Sequence, residues 1–209
     1  VAEIDLAAYH VGAPTSLAPD VWWDVTPRWT VGLVHSNASL DRIEPGASFC
    51  FRGTDPLACD HVYRGSGLDV QYHIEDWIAP RARFVMRDVD PIKPALLLGA
   101  RLEGYHLTFD PYLQLGLANT DQGNRAAVYL PVRATLPIWT ARAWLDTGWN
   151  SELAVWRDGW KVPVGVGAAV AVAANVDVGT ELGFGSLIGP QNTPKERVLF
   201  VFVTTRWQP

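Results

Sequence analysis

Between Lys161 and Gly185 the chain alternates with a period of two, and this pattern limits the possible folds more than any other stretch. The even positions are Val162, Val164, Val166, Ala168, Val170 and Val172, and between them stand Pro163, Gly165, Gly167, Ala169 and Ala171. After Ala174-Asn175 the alternation resumes, with Val176, Val178, Thr180, Leu182 and Phe184 set against Asp177, Gly179, Glu181, Gly183 and Gly185. A helix would scatter the valines around its circumference, whereas a strand sorts each parity onto its own face. The stretch reads as a hairpin of two strands with one greasy face and one small or charged face. Each strand has about ten residues, the length a tilted strand needs to cross a bilayer.

The same alternation recurs along most of the chain and gives twelve strands separated by reversals. Reversals near Pro27, Trp77, Asp110, Trp139 and Asn175 are short. Those at 36–66, 88–94, 119–124, 151–160 and 189–196 are longer. Phe109-Asp110-Pro111 reads as a tight turn, and Pro131 as a bulge or weak pairing position, since proline donates no ladder hydrogen bond. An even strand count, short turns on one rim and long loops on the other describe a single antiparallel up-and-down transmembrane β-barrel spanning residues 1–209. Trp23, Trp29, Trp77, Phe109, Trp139 and Trp207 gather at the short-turn rim, where an interfacial girdle belongs. A soluble sandwich also alternates. Here, however, the polar face is rich in glycine and alanine, where a solvated face would carry Lys, Glu and Thr.

Composition agrees with this architecture without demanding it. A mean hydropathy of +0.04 and 19% charged residues are what results when inward polar residues dilute the lipid-facing ones. No run of about 18 apolar residues offers a membrane-spanning helix. A net charge of −5 gives no argument for nucleic acid. Arginine outnumbers lysine 14 to 3, which suits a confined polar interior because guanidinium is weakly hydrated.

In strand number, strand length and rim asymmetry the chain resembles the outer-membrane β-barrel proteins of Gram-negative bacteria. That resemblance implies a bacterial outer-membrane location and a signal peptide already removed, since Val1-Ala2-Glu3 opens no basic or apolar leader. It also implies the lipid bilayer and lipopolysaccharide as surroundings. The expected function is a narrow passive pore for small solutes. The alternatives are a non-conducting barrel that anchors other envelope proteins, and a membrane-embedded hydrolase. Leu33-Val34-His35-Ser36-Asn37 is similar to the His-x-Ser-Asn segment of outer-membrane phospholipase A. But His35 and Ser36 are adjacent, so alternation sends nucleophile and base to opposite faces, and no enzyme is expected.

Carrying the parity around the chain assigns the interior. Arg81, Arg83, Arg87, Arg101, Arg125, Arg133 and Arg142 form a basic arc. Asp20, Asp24, Asp69, Glu75, Asp177 and Glu181, with Glu3 and Asp5, form an acidic arc opposite it; Glu103, Asp146 and Arg206 are the exceptions. His73 joins the polar interior. Cys50 and Cys59, with eight residues between them, are expected to form a disulfide that pins the long 36–66 loop, the alternative being two free thiols. No metal site or cofactor motif is expected.

Overall fold

The computed structural model describes residues 2–9, 16–34, 66–89, 91–190 and 197–207. The expected disulfide between Cys50 and Cys59 and the His35-Ser36-Asn37 segment lie outside the described residues. The strands are β1 (Ala2–Tyr9), β2 (Ser16–Thr26), β3 (Trp29–Val34), β4 (Ser66–Tyr72), β5 (Ile78–Val89), β6 (Ile92–Gly104) and β7 (Leu107–Phe109). They continue with β8 (Tyr112–Gly116), β9 (Ala127–Ile138), β10 (Ala141–Glu152), β11 (Trp160–Ala173), β12 (Val176–Ile188) and β13 (Arg197–Trp207).

All pairings are antiparallel; apart from β6–β8 and β7–β9 they join chain neighbours, and β13 pairs back onto β1, with Leu6 opposite Val203. β7 and β8 both lie between β6 and β9, so they are two halves of one stave. The thirteen segments therefore make a ring of twelve staves. A ring of this kind leaves no strand edge unpaired, which is the condition for a β-structure in hydrocarbon.

The two parities separate as alternation requires. On β11, Val166, Val170 and Val172 are exposed, whereas Pro163, Gly165 and Ala169 are buried. The register carries this facing across the wall: Leu145 pairs with Val166, Val166 with Leu182, and Leu68 with Phe84, all of them exposed. The outside is apolar. The inside holds the buried charged groups: Asp69, Arg81, Arg83, Asp110, Asp146, Asp177 and Glu181.

Two reversals differ from those expected. Phe109-Asp110-Pro111 is not a turn. The chain reverses earlier, at Tyr105-His106, both with positive φ. Phe109 pairs with Val132 and Tyr112 with Tyr129, so β9 continues past the interruption without a slip in register. The interruption is chemical: Pro111 has no N–H and faces the stretch of β9 containing Pro131, whose carbonyl accepts the Asp110 N–H at 3.1 Å. The 88–94 loop is likewise much shorter than expected, because β5 runs to Val89, which pairs with Ile92. Apart from these, Pro27-Arg28, Trp139-Thr140 and Ala174-Asn175 are tight turns, and Trp23, Trp29, Trp77 and Trp139 are exposed near that rim.

The facing of β11 has a direct test. Val166→Arg should cost about 2–4 kcal/mol in equilibrium urea unfolding from lipid vesicles, as a cation does near mid-bilayer on a lipid face. Gly167→Ala should destabilise by about 1–3 kcal/mol for a different reason, because the added methyl overlaps the Trp144 indole.

Candidate functional site

The interior is built from rows of residues that share a level of the ring. One row runs Gln71, Arg81, Gly99, Tyr112, Tyr129, Asn150 and Lys161 from β4 to β11. The next runs Asp69, Arg83, Leu97, Gln114, Ala127 and Glu152. Gly99 in the first row and Ala127 in the second are the small members, and at Gly99 a long side chain can cross the neighbouring stave.

The first charged cluster lies on β4 to β8. Asp69 is fully buried and its Oδ2 takes Arg81 Nε at 2.8 Å and Arg83 Nε at 2.7 Å, while Gln71 donates to its Oδ1 at 3.1 Å. Arg81 also reaches Asp110, passing over Gly99, where a Cβ would overlap Pro111 and Tyr112. Arg101 Nη2 donates to the same Asp110 oxygen at 2.9 Å. Against this cluster sits an apolar patch of Val85, Ala95, Leu97, Tyr112, Ala127 and Tyr129, with the two tyrosine rings stacked at 4.8 Å.

The second cluster lies on β9 to β12. Arg133 grips Asp146 with two bonds, Nε to Oδ1 at 2.6 Å and Nη2 to Oδ2 at 2.7 Å, a fork geometry that a lysine could not reproduce. Its guanidinium lies 5.1 Å from the Trp144 ring and 3.5 Å from Glu181. Trp144 crosses β11 at Gly167 and donates its indole N–H to Glu181 at 2.8 Å. Arg142 reaches Asp177 at 3.0 Å, again over β11. The glycines and alanines on the inward face of β11 leave the room for all three reaches.

Each expected interior residue can now be placed. Arg81, Arg83, Arg101, Arg133 and Arg142 pair with inward carboxylates, as do Asp69, Asp177 and Glu181 with arginines. Arg125 is half-exposed near the long-loop rim and lies 3.5 Å from Glu152, an ion pair worth little in water. Asp24, within β2, and Glu75, beyond the end of β4, are both exposed at the short-turn rim. Glu75 sits there because β4 ends at Tyr72, so the alternation at 73–75 belongs to a turn. Asp24 accepts the Thr30 hydroxyl at 2.6 Å, and His73 Nε2 lies 3.0 Å from the same hydroxyl, a polar group at the mouth of the ring. The side chains of Asp20 and Arg87, like those of Glu3, Asp5 and Arg206, lie outside the described residues.

Sequence reasoning overlooked Asp110, and with it the interleaving of signs. Asp110 and Asp146 both stand among the arginines, so the basic arc is neutralised by acids on adjoining staves. Parity did contain the signal, since Thr108, Asp110, Tyr112, Gln114 and Gly116 share one face once Asp110-Pro111 is read through as strand. Among the described residues no group of three or more His, Cys, Asp or Glu is arranged to hold a metal ion.

Burying charge is costly, and removing one member of a buried pair typically costs about 3–5 kcal/mol because its partner is left uncompensated. Asp69→Asn should therefore destabilise the barrel by about 3 kcal/mol in urea titration. Glu103→Gln, half-exposed near the rim, should stay within about 0.5 kcal/mol of the parent.

No family model matches the chain, and no curated protein resembles it in sequence. Among solved structures it is similar to the NanC porin, with a TM-score of 0.60 at 8% identity, covering 99% of this chain and 100% of the porin. Looser likenesses are to a bacterial polysaccharide outer membrane secretin (TM-score 0.48, 14% identity, 98% of this chain and 76% of that one). OmpF of Salmonella typhi in complex with daunomycin is another (TM-score 0.45, 10% identity, 98% and 96%). The NanC likeness spans both chains end to end and agrees with the twelve-stave ring: this chain has the fold of the outer-membrane β-barrel proteins.

Proposed function

We propose that the protein is a narrow passive pore of the bacterial outer membrane, taking small polar solutes through a charge-balanced lumen. The observation that carries this reading is the inversion of polarity: valines and leucines face out, while Asp69, Arg81, Arg83, Asp146 and Glu181 are buried inside a closed ring. Such a distribution suits a protein whose outer solvent is lipid and whose interior is polar. Twelve staves stand between eight, which side chains fill, and sixteen, which leave an open channel. The paired arginines then act as the constriction. On this reading the outer surface meets the bilayer and lipopolysaccharide.

A second reading, a non-conducting barrel that anchors other envelope proteins, draws support from one feature. Around Arg81, Arg83, Leu97, Gly99 and Tyr112 the inward side chains interlock and leave a cavity of only about 10 Å³, room for a single water. We assign no catalytic role. The Thr30 hydroxyl spends its proton on Asp24, so His73 does not activate it as a nucleophile.

Single-channel recording in planar bilayers separates the two readings. The pore predicts small, discrete conductance steps; purified protein that inserts and carries no current supports the anchor. Arg83, Arg101 and Arg133 replaced together by Ala should raise the conductance and shift the reversal potential toward cation selectivity. Unchanged conductance and selectivity would show that these three side chains do not border the ion path.

A further inference from the structure

Three guanidiniums, Arg81, Arg83 and Arg101, and two carboxylates, Asp69 and Asp110, share the wall formed by β4 to β8. Asp69 is divided between Arg81 and Arg83. Asp110 is the counter-charge that Arg81 and Arg101 share, and it is fully buried. It stands where stave seven is interrupted, held by its N–H to Pro131 and by the unbroken register on both sides. Its second oxygen, Oδ1, is buried and takes no hydrogen bond from any described residue. Arg101, its partner, is one-fifth exposed, so the pair borders the open part of the interior. Glu103 lies farther out, half-exposed and 4.0 Å from Arg101, where solvent screens it.

We infer that Asp110 is a specificity-determining residue of this pore: it offsets part of the positive charge on the Arg81–Arg101 side of the lumen and so tunes the ion selectivity. This rests on the pore reading and adds to it a group that bears on which charge passes. Without Asp110 the local sum over Arg81, Arg83, Arg101 and Asp69 rises from one positive charge to two. Inside a low-dielectric wall that change acts strongly on a passing ion.

The test is the reversal potential under a potassium chloride gradient, recorded for wild type, Asp110→Asn, Asp110→Glu and Arg101→Gln in the same planar bilayers. Asp110→Asn should raise the chloride-to-potassium permeability ratio severalfold, Asp110→Glu should restore it, and Arg101→Gln should move it the opposite way. Asp121→Asn, an exposed loop acid, should leave it unchanged. Should Asp110→Asn fail to insert, the double variant Asp110→Asn/Arg101→Gln, which removes one charge of each sign, decides: its chloride-to-potassium ratio should lie severalfold above that of Arg101→Gln alone, and an equal ratio overturns the inference. Reversal potentials equal to wild type in the inserted variants overturn the inference while leaving the pore intact. A wild-type protein that inserts and carries no current overturns the pore reading and this inference with it.

Discussion

A backbone amide in hydrocarbon has no water to bond, and each one left open costs several kcal/mol. A β-structure meets that constraint in a bilayer only by closing on itself, so that every strand has two partners. Here the closing seam is the pairing of β1 with β13, running from Ala2 opposite Trp207 to Tyr9 opposite Phe200. Closure also divides the side chains into two sets with different solvents, because successive residues on a stave point to opposite faces. The apolar exterior and the charged interior follow from that division and would have no meaning in an open sheet.

Within the ring, the interior is organised by where side chains are missing. Gly99 lets Arg81 pass over β6 to Asp110, and Gly167 lets Trp144 pass over β11 to Glu181. The alanines of β11 do the same for Arg142 and Asp177. The small residues that look like weak strand formers are therefore the gaps through which the wall is cross-braced. These braces link staves that share no backbone hydrogen bonds, and they satisfy charges whose burial would otherwise oppose folding.

Much of this was legible in the sequence, and the parts that were not have a common cause. The β11–β12 hairpin could be read residue by residue, because the parity of its valines and the Ala174-Asn175 turn are local signals. The interior position of Arg81, Arg83 and Arg133 followed from the same parity. Asp110 was misplaced because Phe-Asp-Pro carries strong local turn chemistry, and what keeps it in the wall is register with β6 and β9, which is a non-local fact. Glu75 shows the converse: alternation runs past the end of β4 at Tyr72 into a turn. The interleaving of acids and arginines could not be read either, since it depends on which residues face each other across staves.

The central claim is that the ring is closed, and the seam is the place to measure it. In a background with Cys50 and Cys59 replaced by serine, Leu6→Cys and Val203→Cys stand directly opposite each other across β1 and β13. Opposed residues of an antiparallel pair lie about 4.5–5.5 Å apart between Cα atoms, within reach of a disulfide. Oxidation of the folded protein in lipid vesicles should give a cross-link within one chain, read by mass spectrometry of non-reduced peptides. Free thiols after oxidation, or cross-links only between chains, would contradict a closed barrel.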